Sequence, residues 1–207
     1  VQLTQAEAAQ PIGLQDKHPK VRRAVVTALG DVKTSESYKA LKGVVEKGDE
    51  SYYVEAAAVR SLGNLGTTTL DGKDKEKKTL KLLDSVLKER SGWNEVVRSG
   101  AIAGLSKFKT STAALDLLLP YTELGIPQPL RLAAIRSLGT ISTGQEKTTV
   151  ERILDRLEAL SREDFFLTQV ATVAALSQME VQGAIAILRG LATHSPDGRV
   201  KRRADEA

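Results

Sequence analysis

One helix-like pattern recurs five times along the 207 residues, and this repetition constrains the fold more than any other feature. The copies begin at Val21, Val54, Val97, Leu130 and Thr168, so successive starts lie 33, 43, 33 and 38 residues apart. Such spacings are typical of repeats that each consist of two helices. A single helical hairpin buries too little apolar surface to be stable, whereas stacked copies bury one continuous core.

Four positions within each copy share a residue type: the fourth is small, the sixth β-branched, the ninth leucine and the twelfth apolar. The residues are, in that order, Ala24, Ala57, Gly100, Ala133, Ala171; Val26, Val59, Ile102, Ile135, Val173; Leu29, Leu62, Leu105, Leu138, Leu176; and Val32, Leu65, Phe108, Ile141, Met179. Small residues let neighbouring helices approach closely, and the larger residues fill the space between them. This pattern predicts the first helix of each copy.

The ends of these helices and their partners can also be predicted. Gly30, Gly63 and Gly139 follow the leucine of their copies, where we expect them to form left-handed C-caps. Second amphipathic helices are predicted over residues 36–47, 76–90, 111–119, 146–160 and 181–193. The predicted fold class is all-α, an α-solenoid with a right-handed superhelix of about five helical hairpins.

We interpret the chain as a single repeat domain over residues 1–207. The repeats are predicted at about 16–49, 50–91, 92–125, 126–162 and 163–195, with truncated repeat pieces at 1–15 and 196–207. This pattern favours a fragment of a longer protein. The second copy is about ten residues longer than the first, and its excess, 67–78, is predicted to be a polar loop. The loop resembles a phosphate-binding loop only superficially, since it follows a helix and Asp74 stands where a Ser or Thr is needed.

Composition excludes several classes of protein. The chain has no cysteine, which excludes disulfides and thiolate metal sites. No apolar run approaches the ~20 residues of a membrane span, and we expect a cytoplasmic protein. The net charge is only +4, which disfavours nucleic acid as the partner. His18 and His194 lie in turn-like sequences, and neither an H-E-x-x-H nor a G-x-S-x-G motif occurs. We therefore predict no catalytic residue, metal site or cofactor site in this chain.

The second position of each copy is polar, with Arg22, Arg98 and Arg131 in three copies and Glu55 and Gln169 in the other two. One interpretation is a basic ladder that grips phosphates. The favoured interpretation is structural, with each arginine pairing to acids of the preceding turn such as Asp16 or Glu95, because two copies lack the positive charge.

Two groups of residues are candidates for docking a partner. Five of the eight aromatic residues gather near the starts of the first helices: Tyr52, Tyr53, Trp93, Phe165 and Phe166. Aromatic side chains are enriched at binding hot spots, although such residues more often staple the start of a helix, and packing is the favoured interpretation. The second helices offer a further set of candidate contacts: Lys42, Lys81, Lys88, Arg152 and Arg156.

The stretch "DKHPKVRRAVVTALGDVKTSESYKALKGVVEKGD" resembles the HEAT-type repeat, and the shared positions extend that resemblance over essentially the whole chain. More narrowly, "VEKGDESYYVEAAAVRSLGNLG" and "DGRVKRRADEA" resemble the C-terminal HEAT repeats of bacterial M1-family zinc aminopeptidases. That resemblance implies a non-catalytic accessory domain that covers or shapes the active site of its parent. The partner would be the parent catalytic domain in cis, and the zinc would be bound there, by residues absent from this chain.

Two other functions remain open at this point. A stand-alone HEAT scaffold would bind another protein through the face formed by the second helices. A HEAT-fold DNA glycosylase would need a basic groove with aromatic and carboxylate groups in it, and it is the more remote alternative.

Overall fold

The computed structural model describes residues 12–207, which are almost entirely helical. Within that range the helices are α1 (Pro19–Asp31), α2 (Ser35–Lys47), α3 (Tyr52–Gly66), α4 (Glu76–Glu89), α5 (Val96–Leu105), α6 (Thr112–Leu118), α7 (Gln128–Ser142), α8 (Lys147–Ser161), α9 (Phe166–Leu176), α10 (Gln182–His194) and α11 (Gly198–Asp205). The five predicted second helices are α2, α4, α6, α8 and α10, each within two residues of its predicted bounds. The prediction of an all-α solenoid is confirmed. None of these helices is long and apolar enough to cross a membrane.

The helices group into two compact units, the first ending at Phe108 and the second beginning at Lys109. In the first unit, α3 packs between α1 and α5, and α2 and α4 cover the other side. In the second unit, α7 packs on α9, and α11 packs on α9 and α10. Helix α11 lies in the segment 196–207, for which the sequence predicts a truncated repeat piece. The piece predicted at 1–15 lies mostly outside the described residues.

The repeated apolar positions form the core of both units. All five residues at the sixth position are buried, with at most 5% of their surface exposed. From the second copy onward the ninth and twelfth positions are buried as well, and each such side chain contributes about 1.5–3 kcal/mol by leaving water. In the first copy Leu29 is only partly buried and Val32 is 48% exposed. Val32 is the extended C-cap residue of α1 and lies beyond the buried face of that helix.

The prediction that Gly30, Gly63 and Gly139 form left-handed caps is wrong. All three lie inside helices, and positive φ values occur instead at Gly48, Gly72 and Gly125 among the described glycines. A Cβ on Gly63 would lie 2.6 Å from the carbonyl oxygen of Gly104, and a Cβ on Gly139 would lie 2.8 Å from the Cα of Ala175. Gly63 and Gly139 are needed because the backbones of adjacent first helices touch there, whereas a Cβ on Gly30 would meet the side chain of Ser61, with its Cβ at 2.6 Å.

The segment predicted as a solvated polar loop contains a short β-hairpin. Strand β1 (Thr69–Leu70) pairs antiparallel with β2 (Lys73–Asp74). The two residues between them, Asp71 and Gly72, have φ values of 50° and 67°, as the tight turns favoured in hairpins require. The hairpin turns Leu70 inward, where only 4% of its surface remains exposed. The sequence analysis missed this element because its strands are only two residues long.

Replacing Leu70 by alanine is therefore expected to lower the free energy of unfolding by about 2 kcal/mol, the low end for a buried leucine, since a peripheral site can partly collapse. Urea unfolding followed by circular dichroism at 222 nm measures this change. The neighbouring Thr69 is exposed, and Thr69→Ala is the matched control, expected to change the value by less than about 0.5 kcal/mol. Equal effects of the two substitutions would show that the hairpin does not pack on the core.

Candidate functional site

In the first, fourth and fifth copies the polar residue at the second position connects its helix to the loop that leads into the next copy. In the third copy Arg98 instead binds Glu95, in the turn before its own helix, at 3.0 Å. The guanidinium of Arg22 binds both carboxylate oxygens of Asp49, each at 2.8 Å. Arg131 binds Glu163 in the same way, at 2.6 and 2.9 Å, and Ser195 donates to Gln169 at 3.1 Å. The structural interpretation is confirmed in that each of the three arginines pairs with an acid, but only Arg98 pairs with an acid of the preceding turn. Arg22 contacts Asp16 only through its backbone carbonyl.

Asp49, Glu163 and Ser195 occupy one common place, five residues before the start of the following copy. We call this place the linker position. Glycine stands there in two copies, Gly92 and Gly125, and offers no side chain. In the second copy the charge at the second position is also inverted, because the helix carries Glu55 where three other copies carry arginine. Glu55 is 5% exposed and lies 3.3 Å from Nη1 of Arg90, and its Oε1 accepts no hydrogen bond among the described residues.

Three large aromatic side chains surround this interrupted link in the first unit. Tyr52 and Tyr53 begin α3, and Trp93 lies in the short 3-10 turn that precedes α5. Their exposed fractions are 50%, 51% and 55%, and the rings of Tyr53 and Trp93 meet edge to face with centroids 6.1 Å apart. The two residues after Trp93, Asn94 and Glu95, both adopt left-handed backbone conformations, which are unfavourable for non-glycine residues. The chain thus holds Trp93 outward on a strained turn.

A pocket of about 160 Å³ opens between Tyr52 and Trp93. Its floor contains Glu55, its rim contains Glu89 and Arg90, and Gly92 and the valines at the start of α5 complete the lining. Two carboxylates and one guanidinium give the lining a net negative charge. The sequence analysis singled out the aromatic residues but missed the pocket. Two features of the sequence indicate the pocket: a glutamate, Glu55, stands where three other copies have arginine, and the next linker position is a glycine, Gly92.

Comparison with known proteins identifies the repeat. A profile of HEAT repeats matches residues 11–88 and 47–139, together more than half of the chain. The chain belongs to the HEAT-repeat family. No curated protein matches it significantly. The crystal structure of an engineered protein from a structural genomics consortium is similar, with a TM-score of 0.51 and 18% sequence identity over 98% of this chain and 96% of that one. At this identity the similarity supports the fold alone.

The other two aromatic candidates lie in the second unit, at the start of its α9 HEAT helix. Phe165 is 50% exposed. Phe166 is half-buried, and the guanidinium of Arg199 lies over its ring at 3.8 Å from the centroid. Arg199 also binds Asp197, the N-cap of α11, and this contact lowers the pKa of Asp197 to about 2. Phe166 therefore packs within its unit, and Phe165 is exposed beside it.

Four of the five basic candidates on the second HEAT helices form ion pairs. Lys42 binds Glu46 at 2.8 Å, Lys88 binds Asp84 at 2.6 Å and Arg152 binds Asp116 at 2.7 Å. Arg156 binds Glu123 at 3.1 Å and also donates to the hydroxyl and the carbonyl of Thr122, both at 2.9 Å, which is a structural contact. Lys81 is exposed.

A wider groove of about 760 Å³ runs between α8 and α10 in the second unit. Its floor is apolar, with Leu154, Ile187 and Leu191, and Gly183 and Gly190 of α10 leave room there because they have no side chains. The groove contains no large aromatic residue. As for metals, no group of three or more His, Asp or Glu side chains between residues 12 and 207 is placed to bind an ion. His18 is the N-cap of α1, and His194 ends α10.

The environment of Glu55 changes its acidity. Burial raises the pKa of the Glu55 carboxyl above its ordinary value of 4.5, although the Arg90 guanidinium acts in the opposite direction. Burial is the largest single influence on Asp49 and would raise its pKa, yet the hydrogen bonds from Arg22 and from the backbone N–H of Ser51, together with the charge of Arg22, outweigh it and hold the pKa of Asp49 below 3.8. The difference follows from geometry, because Asp49 has an arginine in hydrogen-bond contact and Glu55 does not.

We expect Glu55→Gln to raise the free energy of unfolding at pH 7. A raised pKa in the folded state means that ionised Glu55 destabilises the fold, so its contribution is lost as pH rises through the folded value. Guanidinium unfolding between pH 4 and 8 measures this: the gain should grow above pH 4.5 and shrink below it. Glu50→Gln is the control, because Glu50 is exposed and its replacement should change the free energy of unfolding little. Both variants keep the charged neighbours Arg90, Asp49 and Glu89 unchanged. A loss of stability at pH 7 in the Glu55 variant would contradict this account.

Proposed function

We propose that this HEAT-repeat chain is a non-catalytic scaffold that binds a partner protein through an aromatic surface formed by Tyr52, Tyr53 and Trp93. The observation that carries the proposal is the exposure of about half of each of these side chains within one small area of the first unit. Burying an aromatic side chain contributes several times the energy of a typical surface contact, and tyrosine and tryptophan are the commonest hot-spot residues.

The local charge supports a protein partner rather than a nucleic acid. Trp93 stands beside Glu55 and Glu89, and these carboxylates would repel a phosphate backbone. A glycosylase would instead need this aromatic residue in a basic groove.

Photo-crosslinking in the native host tests the proposal. Benzoylphenylalanine placed at Tyr53 should give one discrete adduct, and Trp93→Ser in the same chain should abolish it. The matched control is benzoylphenylalanine at Leu124, which is 77% exposed in the second unit. Identical adducts from the two positions, or an adduct that survives Trp93→Ser, would refute the proposal.

A narrower proposal is that the partner is the catalytic module of an M1-type zinc aminopeptidase in the same polypeptide, which this surface would help to cover. Its support is the resemblance of the stretch around Tyr52 and Tyr53 to the C-terminal repeats of that family. Zinc would then be bound by upstream residues. Reading the coding sequence upstream of Val1 tests it: an H-E-x-x-H motif with a downstream glutamate is expected, and a start codon within one or two repeats of Val1 would refute it.

A further inference from the structure

The interrupted link after the second copy points to the chemistry of the partner. In the first and fourth copies, an arginine on the first helix binds a carboxylate at the linker position, Arg22 with Asp49 and Arg131 with Glu163. In the second copy the helix supplies the carboxylate, Glu55, and Gly92 supplies nothing in return. The fifth copy closes the same link with neutral groups, Gln169 and Ser195. Glu55 therefore has no partner at the linker position, where the second-position residues of the first, fourth and fifth copies have one.

Arg90 does not fill this place. It reaches Glu55 from two residues earlier in the loop, with Nη1 at 3.3 Å and without hydrogen-bond geometry. Its other contacts are long, at 3.4 and 3.5 Å from carbonyl oxygens at the end of α2, and its side chain is 39% exposed. Glu89 on the same rim adds a second carboxylate. Space, negative charge and an unsatisfied oxygen therefore coincide in one pocket.

We propose that this pocket takes a lysine or arginine side chain of the partner protein, whose cationic head binds Glu55 and whose stem packs between Tyr52 and Trp93. This inference rests on the proposed scaffold function and specifies its ligand. The face of an aromatic ring attracts a cation, and tryptophan does so most strongly. A buried carboxylate whose oxygen accepts no other hydrogen bond forms a charge-assisted hydrogen bond with such a head group. The pocket's volume of about 160 Å³ matches one side chain rather than a folded element.

The pocket has its own reporter, because Trp93 is the only tryptophan in the chain. Titrating the protein with acetyl-Gly-Arg-Gly-amide or acetyl-Gly-Lys-Gly-amide should change the fluorescence of Trp93 saturably. Acetyl-Gly-Gln-Gly-amide at matched ionic strength is the control probe and should give no saturable change. Glu55→Gln should weaken the response to both basic peptides at least about tenfold, the loss of ~1.4 kcal/mol of binding free energy. A response that is equal for the glutamine peptide, or unchanged in Glu55→Gln, would overturn the inference.

A second variant tests the same idea without touching the carboxylate. Gly92 has an extended backbone with φ of 179°, which any residue can adopt, and a Cβ there would meet only Cε1 of Tyr52, at 4.0 Å. Gly92→Arg should supply the missing cation from within the chain, so that the arginine peptide no longer changes the fluorescence. Gly92→Gln introduces a side chain of similar size without a charge, so it should reduce the binding of the arginine peptide less than Gly92→Arg does. Unaltered peptide binding by Gly92→Arg would overturn the inference.

The two proposals fail in different ways. If the Tyr53 crosslink forms and depends on Trp93, but no basic peptide perturbs the fluorescence, the surface binds a protein through other chemistry and only this inference is refuted. If the peptides bind and no crosslink forms, the pocket takes basic groups without serving a partner, and the scaffold proposal is refuted together with the inference that rests on it.

Discussion

Glu163→Ala is expected to lower the free energy of unfolding by about 3 kcal/mol, because it leaves the Arg131 guanidinium buried without its carboxylate. The Arg131 side chain is 8% exposed, and its remaining partners are the carbonyl of Thr122 and the hydroxyl of Thr168. These neutral acceptors cannot compensate a buried charge. Urea unfolding at pH 7 measures the loss.

Removing the arginine of this pair, rather than the glutamate, should lower the free energy of unfolding much less. Arg131→Met keeps the volume of the side chain, the Thr122 carbonyl still accepts from Arg156, and Glu163 is partly open to water. We expect a cost below about 1 kcal/mol, since the carboxylate left behind is partly exposed and water can replace the guanidinium. The double variant, with both Glu163→Ala and Arg131→Met, completes a thermodynamic cycle that measures the interaction energy of the pair.

An exposed pair in the same unit is the control for this cycle. Arg152 and Asp116 lie 2.7 Å apart, with side chains 55% and 56% exposed. Asp116→Ala should cost less than about 1 kcal/mol, as exposed pairs usually do. If Asp116→Ala cost as much as Glu163→Ala, burial would not be the reason for the effect, and the structural role of the second-position residues would be refuted.

Gly63→Val is expected to cost about 3 kcal/mol, the upper end for overpacking a core. The new side chain would meet the backbone of Gly104, with its carbonyl oxygen at 2.6 Å and its carbonyl carbon at 2.8 Å, so that α3 and α5 must separate. Backbone atoms cannot rotate away as the end of a flexible side chain can. Gly63→Ala should show the same sign with a smaller magnitude.

The control for this substitution lies on a second helix. Gly43 in α2 has no atom within 4 Å of an added Cβ. Gly43→Ala should therefore raise the free energy of unfolding by about 0.5–1 kcal/mol, because alanine restricts the unfolded chain and favours the helix. Circular dichroism during urea unfolding measures both. A gain from Gly63→Ala as large as that from Gly43→Ala would show that the helices are not in backbone contact.

Most of the fold followed from periodicity. Positions such as Ile135 and Leu138 recur with the same spacing in every copy, and helices pack through such stripes, so the first helices and their buried faces could be predicted. The role of Gly63 could not, because a glycine after the last leucine of a helix suggests a cap, and only the position of Gly104 in the neighbouring helix shows that it is a contact. The hairpin around Leu70 was missed because two-residue strands leave no pattern.

The candidate site was predictable only in its outer part. Tyr52, Tyr53 and Trp93 were recognised as a group because they recur near the starts of helices. The pocket behind them depends on Glu55 and Arg90 coming together from the two helices of the second copy, and a sequence does not show which loop closes over which helix. The inverted charge at the second position was visible, yet its meaning needed the linker position, which emerged from the contacts of Arg22 and Arg131.

The most direct measurement of the central claim is the affinity of the crosslinked partner, once purified, for the intact chain and two variants by isothermal titration calorimetry. Trp93→Ser should weaken binding at least about tenfold, as expected of an aromatic hot spot. Leu124→Ser removes an apolar side chain of greater exposure in the second unit and should leave the affinity unchanged. An affinity that is unchanged by Trp93→Ser, or that falls with Leu124→Ser instead, would contradict the assignment of the partner-binding surface to the aromatic residues of the first unit.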